Sequence, residues 1–377
     1  MSKNVRVGII GMGNMGCAYA KMIILGQVPG FELAAVTRIR QIEKEWFEEN
    51  MSPDVSVYHS EVELFADENL ELDAMIIATP HYAHEDQVIT SLKRGWHVLC
   101  EKPSGVYTNQ AKHMNDEAAR HDLVFSMMFN QRTNPMFKKM KEIVASGKYG
   151  TMKRVSWIMT DWYRPDIYYT ASAWRATWAK DGGGVLLNQC PHNLDLLQWI
   201  CGMPVNVRAF CHEGKYHDIE VEDDVTAYME FSNGATGVFI TSTGEGPGLN
   251  RLEIVMDNAR LLFEDGDLRV FELEEDEPTY RKTSQEPYAR MKGNWKAVEV
   301  EGENVQHLGI MQNFADAVIN GAPLIASGEE GINSLMLSNA MYLSSWQGRT
   351  IELPLSDACA AEFEAELKRK CAAAATV

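Results

Sequence analysis

Three features are missing from this 377-residue chain, and each absence excludes a class of protein. No apolar run approaches the ~18 to 20 residues that a membrane-spanning helix needs, so no transmembrane segment is expected. Positive charge is scarce: 35 Lys and Arg stand against 53 Asp and Glu, which leaves a net charge of −18. Because nucleic acids and anionic membranes are polyanions, neither is expected as a partner.

Paired cysteines are also missing. The seven cysteines form no Cys-x-x-Cys motif and have no metal-ligand spacing, so we expect free thiols in a reducing compartment and no bound metal. The chain starts without the pattern of a signal peptide, since residues 5–10 already read as a strand. These observations together predict a cytoplasmic protein.

A glycine-rich turn follows the first predicted strand and precedes a helical stretch at 17–25. This strand–turn–helix setting is the one that a dinucleotide-binding fingerprint requires. Its first glycine permits the turn, the second lets a pyrophosphate approach the backbone, and the third lets the helix pack closely. The N–H groups at the helix N-terminus then face the phosphates. The turn residues expected to bind the cofactor are Gly11, Met12, Gly13, Asn14, Met15 and Gly16.

Strand and helix patterns alternate through the first 128 residues. Further strands are predicted at 32–37, 73–78, 97–100 and 124–128, and the helices between them include 61–67, 83–94 and 109–121. This alternation is typical of a doubly wound, mostly parallel Rossmann sheet, which binds its ligand at the carboxyl ends of the strands. Four candidate residues follow such ends: Gly11, Arg38, Thr79 and Lys102.

After about residue 150 the pattern changes to strands joined by turns. They are predicted at 155–160, 205–212, 226–231, 236–242, 251–256 and 268–273, and helices at 306–320 and 331–347 are expected to pack on them. We therefore predict an α/β chain with a Rossmann domain at 1–128, an α+β domain at 129–370, and a poorly ordered tail at 371–377. The second domain should contain a large, mostly antiparallel, open-faced sheet. A free sheet face favours a homo-oligomer.

Four motifs along the chain resemble those of the glucose–fructose oxidoreductase, inositol dehydrogenase and MocA family, from residue 5 to about residue 350. The resemblance implies that the first domain binds NAD or NADP, and that the second holds the substrate and builds dimers or tetramers. Substrates in that family are mostly sugars, glycosides and cyclitols. The motifs are the glycine turn at 11–16, Thr79-Pro80 with His84, Glu101-Lys102-Pro103, and Gly182-Gly183-Gly184 followed by Asn188 and His192.

Hydride transfer from a secondary alcohol needs a base for the hydroxyl proton and a cation for the developing alkoxide. The resemblance implies that Lys102 is the catalytic lysine, with Pro103 fixing a turn in which a cis bond is one option. His192 is the candidate base, since neutral imidazole has a suitable pKa range. Many relatives carry aspartate at position 188. Asn188 can still bind a sugar hydroxyl, but it lacks the charge that would raise the basicity of the histidine.

The form of the cofactor depends on the end of the second strand. NAD-binding domains usually place Asp or Glu there, whereas this chain has Arg38, which suits the 2′-phosphate of NADP. The family includes NAD users without the acidic residue, so both cofactors stay open. The remaining expected cofactor contacts are Arg38, Ala78, Thr79, Pro80, His84, Glu101, Lys102 and Asn130.

Aromatic and basic residues are concentrated between residues 161 and 182. Aromatic rings stack on the apolar faces of sugars, and arginines bind hydroxyls or a carboxylate, so this segment is predicted to form the substrate pocket. The expected substrate-binding residues are Lys102, Tyr163, Arg164, Trp174, Arg175, Asn188 and His192.

These residues are compatible with three functions. The first is NAD(P)-dependent oxidation of a secondary hydroxyl of a sugar, glycoside or cyclitol, such as C3 of a glycoside. The second is redox-neutral glycoside cleavage or epimerisation, in which the cofactor stays bound and the same residues act. The third is a non-catalytic, dinucleotide-binding sugar sensor, because a fold does not determine a function.

Overall fold

The computed structural model describes residues 4–172 and 174–374. They group into two compact units, one containing the chain up to Thr133 together with Val305–Leu335, and the other Asn134–Asn304 with the chain from Met336 onward. This grouping differs from the predicted division at residue 128, because segment 305–335 was expected in the second domain. An amphipathic helix pattern does not reveal which sheet the helix covers.

The first unit contains a six-stranded sheet in which every pairing is parallel. Its strand order is 3-2-1-4-5-6, the order of a dinucleotide-binding Rossmann domain, so the predicted fold is confirmed. The strands are β1 (Val5–Ile10), β2 (Phe31–Val36), β3 (Ser56–Val57), β4 (Ala74–Ile77), β5 (His97–Cys100) and β6 (Phe125–Met127).

Helices connect these strands, and the central strands are covered on both faces. Every residue of β4 is buried, as expected for a strand inside a parallel sheet. The connecting helices are α1 (Asn14–Ile24), α2 (Lys44–Asn50), α3 (Glu61–Ala66), α4 (His84–Lys93) and α5 (Thr108–Ala118).

A late helix, Gln306–Asn320, returns to this first unit. Its Phe314 packs edge-to-face on Phe31 of β2, with ring centroids 5.9 Å apart, and Gln312 donates to the carbonyl oxygen of Gln27 at 3.1 Å. The prediction that this helix packs on the second sheet was therefore wrong.

The second unit contains a nine-stranded sheet. Its pairings are antiparallel except for one, which is parallel and joins Thr236–Ser242 to Met152–Met159, so the predicted mostly antiparallel sheet is confirmed. The strands are β7 (Met152–Met159), β8 (Asn206–Glu213), β9 (Glu222–Glu230), β10 (Thr236–Ser242), β11 (Asn250–Met256), β12 (Ala259–Glu264), β13 (Asp267–Leu273), β14 (Gly293–Ala297) and β15 (Ile351–Glu352).

One face of this sheet is covered and the other is open. Along β9, Val225, Ala227 and Met229 are buried, while the alternate residues, among them Tyr228, are exposed. The covered face packs on the helix Gly331–Gln347, whose Ser344 hydroxyl accepts a hydrogen bond from the backbone of Ala209 at 3.0 Å. Buried and exposed side chains thus alternate along the strand, as expected for a sheet with one covered face and one open face.

The remaining helices complete the chain, and no helix among the described residues is long and apolar enough to cross a membrane. The last helix continues through Cys371 to Ala374, so the predicted disorder of the tail is wrong for these residues. Alanine has a high helix propensity, which favours this continuation. Residues 375–377 lie outside the described residues. These helices are α6 (Pro135–Ala145), α7 (Asp166–Thr170), α8 (Pro191–Cys201), α9 (Glu277–Thr283), α10 (Gln306–Asn320), α11 (Gly331–Gln347) and α12 (Asp357–Ala374).

Candidate active site

The three fingerprint glycines of the β1–α1 turn meet different constraints. Gly11 has a φ of +92°, and a Cβ there would lie 2.5 Å from the carbonyl oxygen of Ala78. A Cβ on Gly16 would lie 2.2 Å from the carbonyl oxygen of Gly11. In contrast, a Cβ on Gly13 would meet no atom within 4 Å. Packing within the protein therefore explains the first and third glycines, whereas the space beside the second is open to the close approach of a ligand.

The N-terminus of α1 is left without a side-chain cap. Gly13 occupies the cap position, so the N–H groups of the first turn have no side-chain acceptor there. The side-chain amide oxygen of Asn14 accepts a hydrogen bond from the guanidinium of Arg40. An uncapped helix N-terminus beside an open glycine fits the pyrophosphate of a dinucleotide.

The predicted cofactor residues of the first unit converge on one edge of its sheet. Backbone hydrogen bonds continue the parallel ladder just past the strand ends and fix this convergence. In each bond a backbone N–H donates to a backbone carbonyl oxygen of the neighbouring strand: Thr37 to Ile9 at 3.1 Å, Ala78 to Ile10 at 2.8 Å, Glu101 to Ile77 at 2.8 Å, and Met128 to Cys100 at 2.8 Å. The predicted cofactor residues follow these strand ends, as the sequence predicts; they are residues 11–16, 38, 78–80, 101–102 and 130.

Glu101 connects α1 to the backbone of the proposed catalytic lysine. One carboxylate oxygen accepts a hydrogen bond from the hydroxyl of Tyr19, and the other accepts the backbone N–H of Lys102 at 3.1 Å. Tyr19 is fully buried and Glu101 is 9% exposed. Glu101 was predicted to bind the cofactor, but these contacts favour a positioning role. The bond between Lys102 and Pro103 is cis.

His84 also supports the site from behind. Its side chain is fully buried, and its two ring nitrogens lie 2.8 Å from the carbonyl oxygen of Pro103 and 2.9 Å from that of Thr79. Burial lowers the pKa of His84, which favours the neutral ring. Both ring nitrogens therefore have protein partners. His84 ties the turn after β4 to the turn after β5, and its contact with the cofactor stays a prediction.

Arg38 lies exposed just after β2, where NAD-binding domains usually carry a carboxylate. It lines a surface depression of about 430 Å³ with residues 39–42, so Arg40 lies in the same depression. Two guanidinium groups here suit an anionic group such as a 2′-phosphate.

Sequence reasoning predicted Asn130 but missed its partners on α10. The side-chain nitrogen of Asn130 donates to the side-chain oxygen of Gln306 at 2.6 Å and lies 3.4 Å from Nδ1 of His307. The carbonyl oxygen of the Asn130 side chain is buried and has no hydrogen-bond partner. Gln306 has a φ of +49°, a conformation that is rare outside glycine and that often marks functional sites. Asn130 and Gln306 are 176 residues apart, so no local sequence pattern could predict their contact.

In the second unit, the triple glycine precedes a single π-helical segment, Val185–Gln189, that carries Asn188. A Cβ on Gly183 would lie 2.3 Å from the hydroxyl of Tyr342, and one on Gly184 would lie 1.9 Å from the carbonyl oxygen of Glu222. The segment therefore lies against β9 and α11 more closely than any side chain would allow. Single π-turns of this kind are frequent at functional sites.

The carboxylate of Glu222 anchors the start of this segment. It accepts the backbone N–H groups of Gly184 at 2.9 Å and Leu186 at 2.8 Å, and the hydroxyl of Tyr342 at 2.7 Å. Glu222 is almost fully buried, and burial raises its pKa to about 7, although the three donors oppose that shift. No sequence motif pointed to this residue.

Asn188 is paired with a carboxylate that sequence reasoning also missed. Its side-chain nitrogen lies 3.1 and 3.0 Å from the two oxygens of Asp181, which also accepts the backbone N–H of Ala176 at 3.0 Å. His192 is half-buried and lies one turn later, in the first turn of α8. Asp195 accepts a hydrogen bond from Gln198 of the same helix at 3.1 Å.

The aromatic and basic segment divides into a core part and an accessible part. Trp178, 3% exposed, packs on Tyr342 and Trp346 and belongs to the core. The guanidinium groups of Arg164 and Arg175 both lie over the ring of Tyr168. Of the other predicted binding residues, Tyr163 is 52% exposed, and Trp174 lies under Arg175 with 5.5 Å between its ring centroid and the guanidinium.

Two family models match this chain. The model of the oxidoreductase family with an NAD-binding Rossmann fold matches residues 5–129, and that of the GFO/IDH/MocA C-terminal domain matches residues 137–262. Together they span nearly all of the predicted first domain, about half of the predicted second domain and every proposed catalytic residue.

Relatives of similar length agree with this assignment. Myo-inositol 2-dehydrogenase of Thermotoga maritima is 25% identical over 93% of this chain and 98% of its own length. The scyllo-inositol 2-dehydrogenase (NADP(+)) IolW of Bacillus subtilis is 22% identical over 93% and 96%.

Solved structures share the fold. The WlbA dehydrogenase of Chromobacterium violaceum, in complex with NADH and UDP-GlcNAcA, matches with a TM-score of 0.77 and 24% identity over 94% of this chain and 98% of that one. Levoglucosan dehydrogenase in complex with NADH matches with a TM-score of 0.74 and 19% identity over 94% and 100%. On the strength of the two family models and of the glycine turn, this chain belongs to the GFO/IDH/MocA family of oxidoreductases.

Proposed function

We propose that this protein oxidises a secondary hydroxyl group of a sugar, glycoside or cyclitol with NAD or NADP. The observation that carries this proposal is the placement of Lys102. It lies at the same sheet edge as the glycine turn, and its backbone is fixed by the Glu101 carboxylate that also binds Tyr19 of α1. A relative named as an inositol dehydrogenase supports a polyol substrate.

The side chains supply the rest of the reaction, while a bound nicotinamide supplies a hydride acceptor. Lys102 provides a positive charge that stabilises the developing alkoxide. His192 accepts the hydroxyl proton as general base. Asn188 binds a second hydroxyl, with its carboxamide held by Asp181. A 3-keto product from a glycoside is the specific outcome that we propose to look for first.

For the cofactor, Arg38 favours NADP. Its guanidinium can pair with a 2′-phosphate, and the absence of a carboxylate at this position removes the repulsion that such a phosphate would meet. The relatives include an enzyme named for NAD and one named for NADP, so the family allows both.

The test uses stoichiometric protein, NAD+ or NADP+, and a panel of sugars, cyclitols and glycosides, with formation of reduced nicotinamide followed by absorbance. High protein concentration makes a single bound turnover visible. A signal that is lost in Lys102→Ala and in His192→Ala, but kept in Lys93→Ala, supports the proposal, because Lys93 is an exposed lysine of α4.

Product analysis separates the chemistries that share these residues. A keto sugar indicates net oxidation, whereas a free aglycone or an epimer without net reduction of the cofactor indicates the redox-neutral reaction. Dinucleotide binding without turnover of any panel member, and without an effect of Lys102→Ala on ligand binding, contradicts the enzymatic proposal and favours a sensor.

We also propose that the open face of the nine-stranded sheet mediates self-association. Phe210 and Tyr228 are 53% and 42% exposed on that face, and Trp295 is 45% exposed near its edge. Apolar surface of this kind is typical of an interface. Light scattering on wild-type protein and on a Phe210→Glu/Tyr228→Glu variant tests this: a dimer or larger species should dissociate, and a wild-type monomer contradicts it.

A further inference from the structure

We propose that Arg164 and Arg175 form an anion-binding site, and that the substrate is an acidic sugar that carries a carboxylate or a phosphate group. This inference rests on the proposed function and specifies its substrate class. It begins with the arrangement around one aromatic ring. The guanidinium carbon of Arg164 lies 5.0 Å from the ring centroid of Tyr168, and that of Arg175 lies 4.4 Å from the same centroid.

Neither guanidinium has an anionic partner within the described residues. Nη1 of Arg164 donates to the backbone oxygen of Tyr163 at 2.9 Å, and Nη1 of Arg175 donates to that of Tyr168 at 3.3 Å. The Nε atoms of both arginines are buried and have no acceptor. Because buried donors are nearly always hydrogen-bonded in folded proteins, these two indicate that a ligand supplies an acceptor.

Some arginines of this acidic chain pair with carboxylates. Arg154 pairs with Glu253 at 2.7 Å, and Arg251 pairs with Glu264 at 2.9 Å, although all four side chains are partly or largely solvent-accessible. A protein with a net charge of −18 has ample carboxylates for pairing. Arg164 and Arg175 instead share one tyrosine ring without a carboxylate, so a bound anion would supply the negative charge that they lack.

Asp161 lies close enough to Arg164 for its pKa to respond to the charge of the arginine. Its pKa is raised chiefly by burial, and Arg164 opposes that shift only weakly. Asp161 makes no ion pair with either arginine in the described structure, so it does not neutralise their charges.

The arginine pair is connected to the proposed substrate residues of the same unit. The hydroxyl of Tyr168 accepts a hydrogen bond from the side chain of Gln189 at 3.2 Å. Gln189 directly follows Asn188 in the π-helical segment and lies three residues before His192. An anion bound at the arginines would therefore lie beside the residues expected to hold the sugar hydroxyls.

The chemistry of guanidinium groups defines the ligand class. A planar guanidinium presents paired N–H donors that match the oxygens of a carboxylate or a phosphate, and such charge-assisted bonds are stronger than bonds to hydroxyls. A neutral sugar would leave both positive charges without an anionic partner. Hence we infer a uronate or a sugar phosphate in preference to a neutral hexose or cyclitol.

Matched sugars test this inference: glucose, glucuronate and glucose 6-phosphate, and likewise galactose and galacturonate. Turnover is measured as reduced nicotinamide, and binding is measured independently as the shift in melting temperature with each sugar in the presence of the dinucleotide. We expect kcat/KM for an acidic member to exceed that for its neutral counterpart by about tenfold or more. Preference between uronate and phosphate then identifies the source of the anion.

Charge-neutral variants assign the effect to the arginines. Arg164→Gln and Arg175→Gln should each raise KM for the acidic sugar by about tenfold or more, and this rise should clearly exceed any rise in KM for the neutral sugar. Arg175→Lys should recover part of the loss, and Arg154→Gln, which removes an exposed charge from β7, should behave as wild type. If a variant unfolds, the partial rescue by lysine still decides the question.

The outcomes separate this inference from the proposed function. Equal use of neutral and acidic sugars, with equal losses for both in the arginine variants, overturns the anion site and leaves the dehydrogenase proposal intact. Arginine-dependent binding of an acidic sugar without any turnover overturns the dehydrogenase proposal and keeps the anion site. The absence of both binding and turnover overturns both.

Discussion

Asn188 directs its side-chain nitrogen at both carboxylate oxygens of Asp181, at 3.1 and 3.0 Å. An amide nitrogen that donates to a carboxylate fixes the orientation of the whole carboxamide, so its oxygen is presented on the opposite side as an acceptor. Asp181 is 2% exposed and also accepts the backbone N–H of Ala176. The negative charge that position 188 lacks is therefore present in its hydrogen-bond partner.

Exchanging the two side chains tests this relationship. Asn188→Asp should place two carboxylates in contact at a largely buried position and lower the free energy of unfolding by about 2 to 4 kcal/mol. Asp181→Asn should remove the orienting acceptor and lower kcat/KM by about tenfold. The double variant restores one donor and one acceptor, so its urea midpoint should return close to that of wild type. A double variant no more stable than Asn188→Asp contradicts the pairing.

The glycine turn offers a test of cofactor binding that needs no substrate. Gly13→Ala adds a Cβ that meets no protein atom within 4 Å, so the free energy of unfolding should stay within about 1 kcal/mol of wild type. Dinucleotide affinity, measured by fluorescence titration with NADH and NADPH, should fall by about tenfold or more because that space is where the pyrophosphate approaches.

Gly16→Ala is the matched control for the same turn. Its Cβ would lie 2.2 Å from the carbonyl oxygen of Gly11, so this variant should lose about 1 to 3 kcal/mol of stability. Wild-type dinucleotide affinity in Gly13→Ala would show that the turn does not bind the pyrophosphate.

Arg38 should determine the choice between NAD and NADP. Arg38→Asp replaces a cation by a carboxylate that can accept the ribose hydroxyl, so the ratio of NADPH to NADH affinity should fall by about 100-fold. Lys44→Asp makes the same change of charge at an exposed residue of α2 and should leave the ratio nearly unchanged. An unchanged ratio in Arg38→Asp would mean that this arginine does not face the ribose.

The sequence predicted the first sheet closely because its signals are local. Buried strands of a parallel sheet are short apolar runs, and the helix pattern between them repeats with a different period, so each element is legible on its own. The glycine turn and the Lys102–Pro103 turn lie directly after such runs, which is why their residues were found at one sheet edge.

The supporting residues could not be predicted, because their partners are distant in sequence. Glu222 reaches Gly184 across 38 residues, and Asn130 reaches Gln306 across 176, whereas neither pair has a motif of its own. The sequence motifs led to the prediction that Glu101 and His84 contact the cofactor, but only their hydrogen-bond partners reveal that both bind the backbone of turns at this sheet edge.

Glu222 should make the stability of the second unit depend on pH. Burial raises the pKa of this carboxyl from its usual 4.5 to about 7, so between these values the folded chain holds a proton that the unfolded chain releases. The contribution of Glu222 to the free energy of unfolding is fully present below pH 4.5. It declines by about 3 kcal/mol as the pH rises to about 7. Urea unfolding from pH 5 to pH 8 measures this decline.

Glu222→Gln is neutral at every pH and should flatten this part of the pH profile. Its amide faces the N–H groups of Gly184 and Leu186, so its stability at low pH should be below that of wild type by about 1 to 3 kcal/mol. Glu230→Gln, an exposed carboxylate on the same strand, should keep the wild-type slope. Parallel profiles for Glu222→Gln and wild type would mean that Glu222 is already ionised at pH 5, held as an anion by its three donors.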